Sequence, residues 1–250
     1  MTTDRVALLG LLALTLCTAG CVSGTSTLFQ SGFNSNSIGA PPAAAQTTGT
    51  AQVFGPPGSV VISGPPPNAN GNWLAVSRVA GPAAPIAGME GDFARHPGVG
   101  TYSFLGVLYI PKGTGAATIE FDTSPQTSPP AAQFLHLDFL PNDTVRVDDN
   151  GQVVFGSFQH DQFFTLSVKL DVFSVCTVAH MTLFGTGASG SLDYRVPLSN
   201  LAPQIGALKV WMGFPWGGTF KATDLLVTYH PPGSRVSTVE VPPECVAGNR

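Results

Sequence analysis

The chain is 250 residues long and 43% apolar, with 29 glycines, 22 prolines and only 10% charged residues. Average soluble domains carry about a quarter charged residues, so this mixture excludes a helical bundle, a coiled coil and a charged disordered tail. The formal net charge is −4, and the 11 basic residues never cluster, so the basic footprint of a nucleic-acid binder is missing. What remains is a Gly/Pro-rich, weakly charged, β-type extracytoplasmic protein of one or two domains.

At the N-terminus Arg5 precedes an unbroken run of apolar and small residues, 6–16. That is the length of a secretory signal core and too short to span a bilayer as a helix. Residues 1–20 read as a signal segment. The adjoining Thr18-Ala19-Gly20-Cys21 resembles the lipobox of bacterial lipoproteins, in which small residues precede a cysteine that receives diacylglycerol and becomes the first residue. The resemblance implies lipidation of Cys21, and Val22 after it implies the outer membrane of the cell envelope. Two acyl chains anchor stably where one binds marginally. The alternative is ordinary cleavage near Ala19, leaving Cys21 as a thiol.

Residues 21–50 are Ser, Thr, Gly, Asn, Ala and Pro with few large side chains, the composition of a tether. Leu28, Phe29 and Phe33 are the exception and allow an edge strand near 28–33. From 51 to 232 short β-rich runs follow one another, cut by Gly/Pro turns: 59–63, 73–78, 102–110, 117–123, 133–140, 144–148, 152–155, 163–173, 177–184, 191–196, 207–214 and 219–229. That spacing marks an all-β, two-sheet antiparallel sandwich. Residues 233–250 are left as a C-terminal tail.

In 163–173, Phe164, Leu166, Val168, Leu170 and Val172 point to one face and Thr165, Ser167, Lys169 and Asp171 to the other. In 117–123, Ile119 and Phe121 oppose Thr118, Glu120 and Asp122. Such alternation predicts one core face and one wet face. The run 102–110 is apolar on both faces, as for a central strand. Asp148-Asp149-Asn150-Gly151 separates two Val-rich runs and predicts a hairpin, because Asn-Gly tolerates positive φ.

With Cys17 in the signal and Cys21 lipidated, Cys176 and Cys245 remain of the four cysteines. Two thiols in an oxidising space suggest one disulfide; the alternative is two free thiols. Two separated cysteines make no metal site.

The order of the runs resembles the laminin-G and concanavalin A-like jelly-roll sandwiches over roughly residues 28 to 231. The likeness lies in Gly71-Asn72-Trp73-Leu74-Ala75-Val76, in Phe163-Phe164-Thr165-Leu166-Ser167-Val168, and in Phe220 through Asp224-Leu225-Leu226-Val227-Thr228 as a closing strand. Proteins of that fold commonly bind carbohydrate or protein partners, some through calcium, and some are glycosidases. Fold alone does not choose among them.

Glycosidases of the fold often carry Glu-x-Asp-x-x-Glu, and no such stretch exists here. The nearest approximation is Glu120 and Asp122 on one strand with His136 and Asp138 on the next. These four form either a cleft with acid/base groups or an ordinary solvated sheet face, and the second reading is favoured. No metal or cofactor is called for: the five histidines lack ligand spacing, and Asp148-Asp149-Asn150, three hard-oxygen donors in one turn, is sufficiently explained as hairpin chemistry.

Trp211, Phe214 and Trp216 fall close together, and Phe214-Pro215-Trp216-Gly217-Gly218 reads as a turn. There Trp216 either stacks on a ligand or folds back to plug the sandwich. Trp73 and Trp211, inside strands, are expected in the core. Two functions stay open. One is a non-catalytic envelope lipoprotein binding a glycan or an envelope protein through Trp216 and Phe214. The other is a glycoside hydrolase of the same fold, which requires Glu120 or Asp138 in a pocket with a raised pKa.

Overall fold

The computed structural model describes residues 24–125, 133–147, 153–197 and 204–233. Among the described residues fifteen antiparallel strands form one sheet, fourteen of them in a single hydrogen-bonded path that folds over itself and one, the first in the chain, beside the last. Its front half runs β2 (Thr50–Phe54), β5 (Ala87–Asp92), β14 (Ala207–Met212), β7 (Ala117–Asp122), β8 (Gln133–Phe139), β9 (Thr144–Val147). At the bend lie β10 (Val153–Ser157) and β13 (Ala188–Arg195). The back half runs β12 (Thr177–Gly185), β11 (Phe163–Val172), β6 (Gly100–Tyr109), β15 (Gly218–His230), β4 (Trp73–Arg78), β3 (Val60–Ser63). Consecutive strands are often not neighbours, which is the crossover pattern of a jelly roll rather than a meander.

The core fills the space between the two halves, where the apolar members of each alternating strand meet. Phe104 of β6 packs edge-on against Phe121 of β7 with ring centres 5.6 Å apart, and Phe139 of β8 meets Phe164 of β11 at 5.5 Å. The inward set expected on β11 is buried throughout. Leu166, at 0% exposure, lies mid-strand between Gly106 and Leu183. Leu166→Ala is expected to cost about 2–5 kcal/mol in chemical denaturation, because the cavity is enclosed by both halves; a loss near 0.5 kcal/mol, the level of a surface change, would contradict the assignment.

Several elements differ from the sequence reading. The edge strand allowed near 28–33 is present as β1 (Ser26–Ser31), which pairs with the last residues of β15 and buries Leu28, Phe29 and Phe33, but the rest of the described stretch 24–50, read as a tether, is also laid against the sandwich. Three large apolar residues suffice to dock a small-residue segment. Asparagines then supply backbone partners: Asn36 Oδ1 accepts from Ala43 N at 2.6 Å, and Asn34 Oδ1 from Asn72 N at 2.9 Å. Strand β15 thus changes partner midway, from β4 at residues 218–222 to β1 at 225–229. A bulge at Asp224, with φ of 52°, marks the change.

β2 and β5 were not expected as strands. β5 reads Ala-Gly-Met-Glu-Gly-Asp, and glycine normally weakens a strand. Here Gly88 is required, since a Cβ would run into Trp211 and the ring of Phe54. The hairpin expected around Asn150-Gly151 has its two arms paired, Val147 opposite Val153; its turn, residues 148–151, lies outside the described residues, as do Cys21 and Cys245.

Candidate functional site

Four loops converge at the end of the sandwich where β15 begins. They are the β6–β7 turn, the β8–β9 turn, the β10–β11 loop and the β14–β15 loop. Hydrogen bonds tie them together: Gly115 N donates to Gly217 O at 2.7 Å, Phe158 N to Asp143 O at 2.9 Å, and Asp161 N to Ile110 O at 3.0 Å. Between them opens a cleft of about 860 Å³ walled by Trp216, Lys112, Asp143, Gln159, His160 and Asp161.

Trp216 is half-buried and packs its inner side on the core, while the cleft receives its other side. The ring is therefore braced on the core and open to the cleft at once, between the two arrangements the sequence allowed. Phe214, two residues earlier, is 63% exposed. The loop is held by Arg78, which is buried and spends its guanidinium on backbone carbonyls. It donates to Pro85 O and Gly81 O at 2.9 Å, to Ala84 O at 2.5 Å, and to Trp216 O. Gly115 allows the close approach, because a Cβ there would collide with that of Trp216.

The polar wall is ordered from two turns. Asp143 and Asp161 adopt left-handed φ of 67° and 61°, which Asp tolerates better than most residues. His160 Nε2 lies 3.1 Å from Asp143 Oδ1 and its Nδ1 3.2 Å from Ile110 O. Asp161 Oδ1 accepts from Lys112 N at 3.1 Å. Burial, reinforced by the charge of Asp161 and a hydrogen bond to it, pushes the Tyr109 phenol up, so it stays a neutral donor. One flat apolar face opposite carboxylate, amide and ammonium groups suits a ligand with apolar C–H faces and many hydroxyls.

The second candidate lies on the outer face of the front half, and its reading as a solvated face is overturned. Glu120 and Asp122 have 0% exposure and Asp138 6%. Cross-strand register explains why these polar residues hold together. Gln52, Glu90, Lys209, Glu120 and His136 lie side by side on five successive strands. The adjacent row carries Trp211, Thr118, Asp138 and Arg146. Lys209 Nζ contacts Asp122 and lies 3.4 Å from Glu90 and 3.6 Å from Glu120. His136 stands between Glu120 at 3.5 Å and Asp138 at 3.0 Å.

Trp211, expected in the core, is half-buried on this outer face and donates its indole N–H to Glu120 at 3.0 Å. Burial pushes the Glu120 carboxyl up to about 8, aided by its hydrogen bond to Asp122 and that residue's charge. Burial also raises Asp138, but His136, Thr118 and Arg146 outweigh it and hold that carboxyl below its ordinary range. Among the described residues no three His, Cys, Asp or Glu side chains are placed to hold a metal ion. The calcium candidate at residues 148–150 lies outside them.

No family model and no curated protein matches this sequence. Solved structures do share its shape. The basic winged bean lectin with Tn-antigen superposes with a TM-score of 0.53 at 11% identity, over 84% of this chain and 100% of that one. The catalytic domain of a glycoside hydrolase family 131 protein from Coprinopsis cinerea gives 0.52 at 13%, over 83% and 96%. A carbohydrate esterase from a Shiga toxin-encoding bacteriophage gives 0.50 at 10%, over 84% and 100%. The fold is the concanavalin A-like jelly roll.

Proposed function

We propose that this chain is a lectin-like carbohydrate-binding lipoprotein of the bacterial outer membrane, with its saccharide site in the cleft beside Trp216. The observation that carries the reading is the cleft itself: an indole braced on the core faces Asp143, Gln159, His160, Asp161 and Lys112 across an open space. The space is large enough for a sugar unit. Anchoring by diacylglycerol on Cys21 follows from the lipobox resemblance, and the same oxidising address pairs Cys176 with Cys245. The fully buried Cys176 side chain suits a structural bridge.

Glycan-array binding followed by titration of Phe214→Ala and Trp216→Ala tests the site. Phe214→Ala is expected to affect binding less than Trp216→Ala, because its exposed ring lies outside the cleft wall, and to leave stability within about 0.5 kcal/mol. Trp216→Ala is expected to abolish binding and to cost about 2 kcal/mol, less than the 3–5 of a fully buried ring. Unchanged glycan affinity in both variants would place the site elsewhere.

A second reading, a glycoside hydrolase built on Glu120 and Asp138, draws on one observation: one carboxyl is pushed up to about 8 and its neighbour is held down. Acid/base pairs need such a split. Both groups are buried, whereas the loop cleft is open, so the binding reading stands first. Hydrolysis of array-positive glycans that disappears in Glu120→Gln would reverse that order.

A further inference from the structure

The cleft and the start of the folded chain lie at opposite ends of β15. Trp216 sits two residues before its first residue, and Thr25, just before β1, hydrogen-bonds His230 at its last, Oγ1 to Nδ1 at 3.0 Å. Thirteen residues of strand span about 40 Å. Cys21 precedes Thr25 by four residues, which reach at most about 14 Å even when fully extended. Any lipid on Cys21 therefore holds one particular end of the sandwich near the bilayer.

That end has a distinctive surface. Arg95 and His96 are exposed in the β5–β6 loop, Arg195 is exposed at the end of β13, and His230 closes β15. Between them Val175 is 54% exposed on the β11–β12 turn and Val99 38% exposed before β6. Register places them together, because Thr101 pairs with both His230 and Asp171, and Arg195 with Val178. Among the described residues the carboxylates at this end are withdrawn: Asp171 is 3% exposed and bound by Lys169 and Thr101, Asp122 is fully buried, and Asp92 is hydrogen-bonded to Gln52. Asp193, two residues farther up β13, is exposed but paired with His180 at 2.7 Å. Exposed cations with two projecting valines fit an anionic lipid surface.

We infer that the face formed by Arg95, His96, Val99, Val175, Arg195 and His230 docks on an anionic membrane surface, standing the sandwich upright with the Trp216 cleft about 40 Å away, facing outward. The inference rests on the lipid-anchor reading. With four residues of slack the arginines stay within one to two Debye lengths of the headgroups. There each contributes about fivefold to surface partitioning.

The test is hydrogen–deuterium exchange of the full mature chain reconstituted in phosphatidylcholine vesicles with or without 30% phosphatidylglycerol. The mass of the N-terminal peptide reports acylation separately. On anionic vesicles the amides of 94–99 and 173–176 are expected to slow about fivefold or more, while those of 112–115 and 142–143 stay unchanged. The protection should disappear in Arg95→Glu/Arg195→Glu, and in the unaltered protein at high salt, which screens without touching the fold. Acylation without protection overturns the docking face and leaves the anchor standing. Protection without acylation does the reverse, and neither overturns both. Equal protection on neutral vesicles, or protection at the cleft end, also overturns the docking face.

Discussion

Lys209→Met is expected to destabilise the fold by about 3–5 kcal/mol, read as a lowered midpoint at unchanged slope in urea unfolding followed by circular dichroism. Lys209 has 0% exposure and faces three carboxylates, Glu90, Glu120 and Asp122, themselves exposed by 1% or less. Burial alone lowers an ammonium pKa. Here the contact with Asp122 and the charges of Glu120 and Glu90 outweigh it and hold the ammonium above its ordinary range, so it is charged. Removing the cation leaves buried negative charges facing one another with no compensation, and such losses exceed the net worth of the ion pair. Adding Asp122→Asn and Glu90→Gln should restore most of the stability, because it removes the charges the lysine was neutralising, Glu120 itself keeping its proton below about pH 8. A loss below about 1 kcal/mol in the single variant would mean that the row is not a charged network.

That network shows where sequence reading reached its limit. Alternation in β11 is a property of one strand, and its inward set was legible residue by residue. The row Glu90–Lys209–Glu120–His136 takes one residue from each of four strands, so no single run of sequence shows that opposite charges meet. A lone polar residue in an alternating strand reads as wet, and only register reveals a partner able to compensate burial. β5 was hidden for a related reason: Gly88 and Gly91 read as breakers, yet they stand where the side chains of Trp211 and Phe29 press on the backbone. At the cleft, the Pro-Gly turn around Trp216 was legible. Arg78, at the end of β4, and Asp143, His160 and Asp161, from two loops, were missed because these segments lie far apart in the chain. Their only local signal was Asp in turn positions, a residue that accepts the left-handed φ both adopt.

Stability should fall as pH rises from about 4.5 to about 8, with a slope approaching 1.4 kcal/mol per pH unit, and Glu120→Gln should remove most of that fall. The carboxyl ordinarily titrates near 4.5, and in the fold burial, with Asp122 beside it, pushes it up to about 8. His136 and Lys209 pull the other way without cancelling that rise. Between the two values the folded chain keeps a proton that the unfolded chain has released, so the stabilisation is complete below the lower value and lost as pH passes the upper. Asp138 acts in the opposite sense: its carboxyl is held below the ordinary 3.8, so its contribution is present above that value and lost in acid. The two together place the stability maximum near pH 4–5 as far as these groups determine it. Glutamine keeps a hydrogen-bond donor toward Asp122 without a titrating proton, so the variant should match the parent near pH 5 and exceed it at pH 8.5. Urea unfolding at pH 5, 7 and 8.5 measures both slopes. Parallel curves for the two proteins would show that the proton resides elsewhere, and would remove the split between Glu120 and Asp138 on which the hydrolase reading depends.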